Sequence, residues 1–311
     1  MKNLKLGAAA AALVFAFSGV ANAGSCAKVT FSDVGWTDIT ATTAATSDVL
    51  GALGYKVDIK VLAVPVTYAS MASGGVDVFL GNWMPTMADI IKPYQDKGQV
   101  DVLGVNLTGA KYTLATNKIG ADLGIHDFAD IAKFKDQLGG KIYGIEPGND
   151  GNALILQMIK TNAFGLKGFK IAESSEQGML AQVARADKKD KPIIFLGWEP
   201  HPMNANFDMT YLTGGDDYFG PNLGGATVYT NTRAGYVKAC PNVGALLTNL
   251  KFTLAMENEI MGAILDDGAD PKKAAAAWLK AHPAILEGWL KGVKTTDGKD
   301  GLSAVKASLG L

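Results

Sequence analysis

The sequence predicts an α/β protein of two lobes. Strand-like and helix-like stretches alternate along the chain, the pattern of parallel sheets covered by helices. That alternation runs through two similar cycles separated near Tyr112, and a set of long helices follows the second.

Residues 27–31 form the first β-prone run, and 38–53 read as a helix with Ile39, Thr43, Val49, Leu50 and Leu53 available for an apolar face. Gly54 stops it. Residues 55–62 alternate, with Val57, Ile59 and Val61 on one side, as in a half-buried strand. A short helix over 67–73 is broken by Gly74-Gly75. Residues 76–80 read as a strand buried on both faces, and 85–97 as the next helix. This β-α-β-α-β order implies parallel strands joined by right-handed crossovers. The second cycle supplies helices over 128–133, 151–164 and 175–186, and strands over 141–145, 169–172 and 192–196. A strand at 226–230 follows, then long helices over 243–265 and 271–280.

The N-terminus reads as a cleaved export signal over residues 1–23. Lys2 and Lys5 are its charged region, residues 8–20 its apolar region and Ala21-Asn22-Ala23 its cleavage site. An uncleaved anchor is the alternative, with no stop-transfer pattern to support it. Removing these residues takes two lysines from 29 basic residues and none from 30 acidic ones, leaving a formal charge of −3. That argues against nucleic acid or an anionic membrane as partner. The remaining 288 residues suffice for two domains with their own cores. The two cysteines, Cys26 and Cys240, read as one disulfide in an exported protein, the alternative being two buried thiols. Chain-entropy arithmetic for so large a loop gives about 5 kcal/mol. The bond would tie the late helices to the N-terminus. Lobe 1 is therefore expected over 24–112 plus 213–311 and lobe 2 over 113–212, with two chain crossings that form a hinge.

Three of five tryptophans stand in polar, glycine-bounded segments: Gly35-Trp36-Thr37-Asp38-Ile39, Gly81-Asn82-Trp83-Met84-Pro85 and Gly197-Trp198-Glu199-Pro200-His201-Pro202. Each is expected in a turn after a strand, where open α/β sheets bind ligands. Tyr112 lies near the predicted crossing between lobes. Aromatic faces brought together from distant segments form a cage for a quaternary ammonium, each ring contributing ~0.5–2 kcal/mol. Ordinary core packing is the competing reading, and the preferred one for Trp278 and Trp289. Asp38 is either a helix N-terminal carboxylate facing the helix dipole or an acceptor for a ligand hydroxyl, and the two are compatible. Asn149 and Asp150, in the turn Gly144-Ile145-Glu146-Pro147-Gly148-Asn149-Asp150-Gly151, read either as capping residues or as ligand contacts. Glu199 and His201 shape their turn or mediate contacts between lobes. No nucleophile with an oriented base, no metal-ligand cluster and no cofactor fingerprint is present, so no catalytic residue, metal or cofactor is expected.

These four segments, from Gly35-Trp36 to Gly197-Trp198, make the chain resemble the glycine betaine/choline substrate-binding proteins of bacterial ABC importers, over residues 27 to about 290. The resemblance implies the two-lobed periplasmic binding fold (type II), each lobe a sheet flanked by helices, joined by a two-strand hinge. It implies an aromatic box of Trp36, Trp83, Tyr112 and Trp198, and Asp38 and Asn149 as partners of a ligand hydroxyl. It also matches the Cys26–Cys240 disulfide. A cation that ends in a hydroxyl suits Asp38, whereas the carboxylate of glycine betaine would be repelled, and no basic residue stands in the tryptophan motifs. Choline is thus the expected ligand, with acetylcholine weaker, and an ABC transporter permease the expected partner of a periplasmic monomer. The alternatives are a glycine betaine or broad quaternary-ammonium binder and, in another class, a choline-ester hydrolase.

Overall fold

The computed structural model describes residues 26–311, so the expected export signal lies outside the described residues. Among the described residues no helix is long and apolar enough to cross a membrane. The strands are β1 (Lys28–Asp33), β2 (Lys56–Val61), β3 (Val78–Met84), β4 (Val100–Asn117), β5 (Lys141–Tyr143), β6 (Lys170–Ala172), β7 (Ile194–Glu199), β8 (Met209–Tyr211) and β9 (Gly225–Arg233). They form one mixed sheet in the order β2-β1-β3-β9-β4-β7-β5-β6, with β8 also paired to β4. Pairing is parallel where helices return the chain, at β1–β2, β1–β3, β5–β6 and β5–β7, as the alternating pattern requires. It is antiparallel where β9 and β7 flank β4.

Strand β4 is the longest element that sequence periodicity missed, and the short β8 paired to it was missed as well. The first part of β4 pairs with β9 from Val100 to Lys111, and its last part pairs with β7 from Lys111 to Thr116. The two halves of the sheet therefore meet along one continuous strand. Three register irregularities interrupt the β9 side, near Gly104, Asn106 and Gly109, so the stretch has no clean alternation to read.

Helix Thr37–Ala52 is buried along almost its whole length. Small residues allow this: Ala41, Ala44 and Ala45 admit close neighbours, while Thr42 and Thr46 return their hydroxyls to the carbonyls of Asp38 and Thr42. Helices Leu254–Leu265 and Pro271–Ala281 pack directly against it. The helix expected over 243–265 is two helices, Pro241–Asn249 and Leu254–Leu265. Thr253 causes the break by capping the second: its hydroxyl accepts from the Met256 N–H at 3.1 Å, while Phe252 N–H turns aside to the carbonyl of Asn106. Cys26 and Cys240 are joined, their Cα atoms 5.5 Å apart. Trp289 is core, as expected; Trp278 is instead half-buried at the surface, where its Nε1–H reaches Glu259 and its ring stacks on His282 at 4.3 Å.

Candidate functional site

Trp36, Asp38, Trp83, Tyr112, Ile145, Asp150 and Trp198 converge on one cavity of about 270 Å³, its opening to solvent included. It lies between the two halves of the sheet. The placement of the tryptophans differs from expectation: Trp83 and Trp198 are inside strands β3 and β7, one residue before each strand ends, not in turns beyond them. Only Trp36 stands at a loop-to-helix junction, as the N-cap of helix Thr37–Ala52.

Local sequence explains each ring. The β3–β9 register shifts between Phe79 and Asn82, and this irregularity sets how Trp83 faces. A side chain at Gly81 would run into Ile39, so glycine is what allows strand and helix to approach there. Tyr112 stands where β4 leaves β9, directly opposite Trp198 on β7. Its ring meets Trp83 and Trp198 edge to face, at 6.2 and 6.3 Å between centroids, and Phe219 behind it at 5.8 Å. A Cβ at residue 151 would overlap the Tyr112 hydroxyl, so Gly151 lets that ring seat against the start of helix Asp150–Thr161.

The polar atoms are nearly all engaged in holding these rings. Trp83 Nε1 donates to Asp38 Oδ2 at 3.2 Å, and Trp36 Nε1 donates to both oxygens of Glu146 at 3.0 Å. Tyr112 donates to Asn149 Oδ1 at 2.9 Å. Asn149 is the N-cap of helix Asp150–Thr161; its Oδ1 also accepts from Asn152 N–H, and its Nδ2 donates to Asp150 Oδ1 at 3.0 Å. Asn149 thus stands one layer behind the lining, and Asp150 is the polar residue of that turn which reaches the cavity, beside Ile145. Two oxygens are left over. Asp38 Oδ1 and Asp150 Oδ2 are buried and have no hydrogen-bond partner among the described residues.

Leaving a buried carboxylate oxygen unpaired is costly, and the proton affinities register it. Burial, reinforced by the charge of Glu176, raises Asp38 to about 8. Burial raises Asp150 to about 6 and Glu146 to about 7. No Lys, Arg or His lines the cavity among the described residues. The chamber is therefore aromatic on its walls and acidic at two points. Such a chamber attracts a cation that offers ring contacts and, at one end, a hydroxyl to satisfy a carboxylate.

Asp150 and Glu146 are the residues that sequence reasoning undervalued. Both stand in a turn whose capping signals account for Asn149 and Asp150 without a ligand. Of the others, Trp36, Asp38, Trp83, Tyr112 and Trp198 all reach the cavity. His201 lies against Trp198, with ring centroids 5.0 Å apart, while Glu199 turns outward to pair with Lys111 at 3.1 Å.

A two-lobed α/β fold closing on a small aromatic cavity defines a solute-binding protein, one that holds a small molecule between its halves. Residues 27–281 match the substrate-binding domain of ABC-type glycine betaine transport systems, OpuAC, and the chain belongs to that family. Among solved structures it is similar to an ABC-transporter choline-binding protein in complex with choline, with 67% identity and a TM-score of 0.91, covering 92% of this chain and 99% of that one. An ABC-transporter choline-binding protein in an unliganded, semi-closed conformation is 68% identical, with a TM-score of 0.86 over 92% of this chain and 100% of that one. Lactococcal OpuAC, closed on glycine betaine, is 26% identical with a TM-score of 0.76, covering 84% and 98%.

Proposed function

We propose that this protein is the choline-binding component of an ABC importer, acting in the periplasm and handing its ligand to a membrane permease. The observation that carries the reading is the pairing of four aromatic side chains with two partnerless buried carboxylate oxygens in one cavity. The identity of about two thirds to a choline complex supports it.

In this reading Trp36, Trp83, Tyr112 and Trp198 enclose the trimethylammonium group. Its charge is spread over methyl groups that donate no strong hydrogen bond, so ring faces suit it better than a salt bridge. Asp38 and Asp150 supply the negative charge and accept the ligand hydroxyl. Asn149, expected as a further partner of that hydroxyl, acts on the site from behind by holding Tyr112 and Asp150. The lobes comprise residues 24–112 plus 213–311 and residues 113–212, with closure selected because the ligand touches both only when they are together. The protein performs no chemistry on its ligand and works as a monomer; acetylcholine, without the hydroxyl donor, binds less tightly.

Glycine betaine is the rival ligand, favoured by the family as a whole. Its carboxylate would meet Asp38 and Asp150 with no basic residue to compensate, so the cavity disfavours it. Titration calorimetry with choline, acetylcholine and glycine betaine decides between them. Choline should bind most tightly and glycine betaine least; tight betaine binding would overturn the assignment.

A further inference from the structure

Helix Thr37–Ala52 starts without a cap of its own. Its N-cap is Trp36, whose side chain accepts nothing, so the first backbone N–H groups need partners from elsewhere. One partner comes from 139 residues away and from the other half of the sheet. Glu176 is the first residue of helix Glu176–Asp187, and its Oε2 accepts the Thr37 N–H at 2.9 Å. Its Oε1 accepts the Thr37 hydroxyl at 2.5 Å and lies 3.2 Å from His201 Nε2. The carboxylate is fully buried, with a side-chain exposure of 0% against 1% for His201.

The network also assigns the histidine tautomer. Met203 N–H donates to His201 Nδ1 at 2.9 Å, so Nδ1 carries the lone pair and Nε2 carries the hydrogen given to Glu176. One buried carboxylate thereby accepts three hydrogen bonds, two from one half of the fold and one from the other. It lines no part of the cavity. Yet Thr37 stands between Trp36 and Asp38, and His201 packs on Trp198, so the bonds of Glu176 join opposite walls of the site.

We propose that Glu176 is a positioning residue that latches the closed cleft through Thr37, so that ligand residence depends on a group the ligand never touches. Opening the cleft separates Glu176 from both Thr37 donors. Closing it restores them at the moment the aromatic walls meet. The latch acts on dissociation, because it forms after the ligand has entered. The proposal rests on the cavity being the ligand site, and its test is built to separate the two.

Glu176→Gln keeps the volume but places an amide N–H₂ against donors, and Thr37→Val removes the hydroxyl without changing shape. Stopped-flow tryptophan fluorescence with choline, run on the full chain, should show the dissociation rate rising about 10- to 100-fold in Glu176→Gln, the scale of lost hydrogen bonds to a charged group. The association rate should stay within about threefold. Thr37→Val should shift the same rate by a smaller factor, and the double variant should fall short of the product of the two. The interlobe distance distribution, measured with a spin-label pair without ligand, should lose closed population in both variants. That reading reports on the latch whichever molecule the site binds, whereas choline titration of the unmodified chain reports on the site alone. Dissociation rates and interlobe distances unchanged in both variants would overturn the latch. So would a loss of affinity that appears only as slower association or tracks a lower Tm of the ligand-free protein.

Discussion

On the function proposed above, two carboxylate oxygens and four rings carry the recognition, and each can be changed alone. Trp198→Ala removes one wall and its packing on Tyr112; choline binding should weaken about 10- to 100-fold, given ~2 kcal/mol for a desolvated cation–π contact and further lost apolar contact. Calorimetry checks it, and unchanged affinity would remove Trp198 from the box. Asp38→Asn should narrow the preference for choline over glycine betaine, because it deletes the charge that repels a ligand carboxylate. The acidities add a pH dependence. Asp150 titrates at about 6 and Asp38 at about 8 in the protein alone, both raised by burial. A cation favours the ionised forms, so the complex holds fewer protons than the free protein. Affinity should therefore rise as pH climbs from about 6 to about 8 and level off above; a flat profile would show that these groups do not face the cation. Trp36, Asp38, Trp83 and Trp198 were legible in the sequence, because a tryptophan amid glycine and proline is out of place in a core, whereas Tyr112 was placed only by its nearness to the lobe crossing and by the family resemblance. Asp150, Glu146 and Glu176 were not. Their partners Asn149, Trp36 and Thr37 show their value only in three dimensions, across separations of up to 139 residues.

At the level of elements, helices such as Thr37–Ala52, Asp150–Thr161 and Glu176–Asp187 and most short strands followed from period and punctuation, while β4, β8 and several short helices did not. The irregular register of β4 with β9 and the glycines along it hide the alternation that marks a strand. The same strand delivers Tyr112, so the longest missed element is the one that sets the aromatic box opposite Trp198. Gly151→Ala tests the seat behind that ring. The added methyl would collide with the Tyr112 hydroxyl and approach Leu196, an overpacking that should cost about 1–3 kcal/mol in stability. Choline affinity should fall with it, and a variant with wild-type melting and binding would show that the helix start moves aside freely. The divided helix at Leu250–Thr253 teaches a related lesson. An apolar run long enough for one helix was split by a threonine whose hydroxyl caps the second, a signal readable in retrospect from Thr253 standing before Leu254-Ala255-Met256.

Across the whole molecule, the Cys26–Cys240 bond closes a span of 214 residues and holds the N-terminus to the late helices. It lies among residues apart from the cavity lining. Replacing both cysteines by serine should lower unfolding free energy by about 2–5 kcal/mol in denaturant titrations, while choline affinity stays unchanged. A parallel loss of affinity would mean that the bond shapes the site. The two-lobed class was legible from the repeated α/β cycles, but the continuity of the sheet across both halves was not. That continuity bears on how a ligand is captured. Tyr112 sits where β4 passes from β9 to β7, on the one strand that both halves of the sheet share. Tyr112 and Trp198, neighbours on paired strands, form one corner of the cavity whose shape is set by the register of a single strand pair. Trp36 and Trp83 line the same cavity from the other half of the sheet. On the function proposed above, closing on a ligand would bring that second wall against a corner already built by one strand pair.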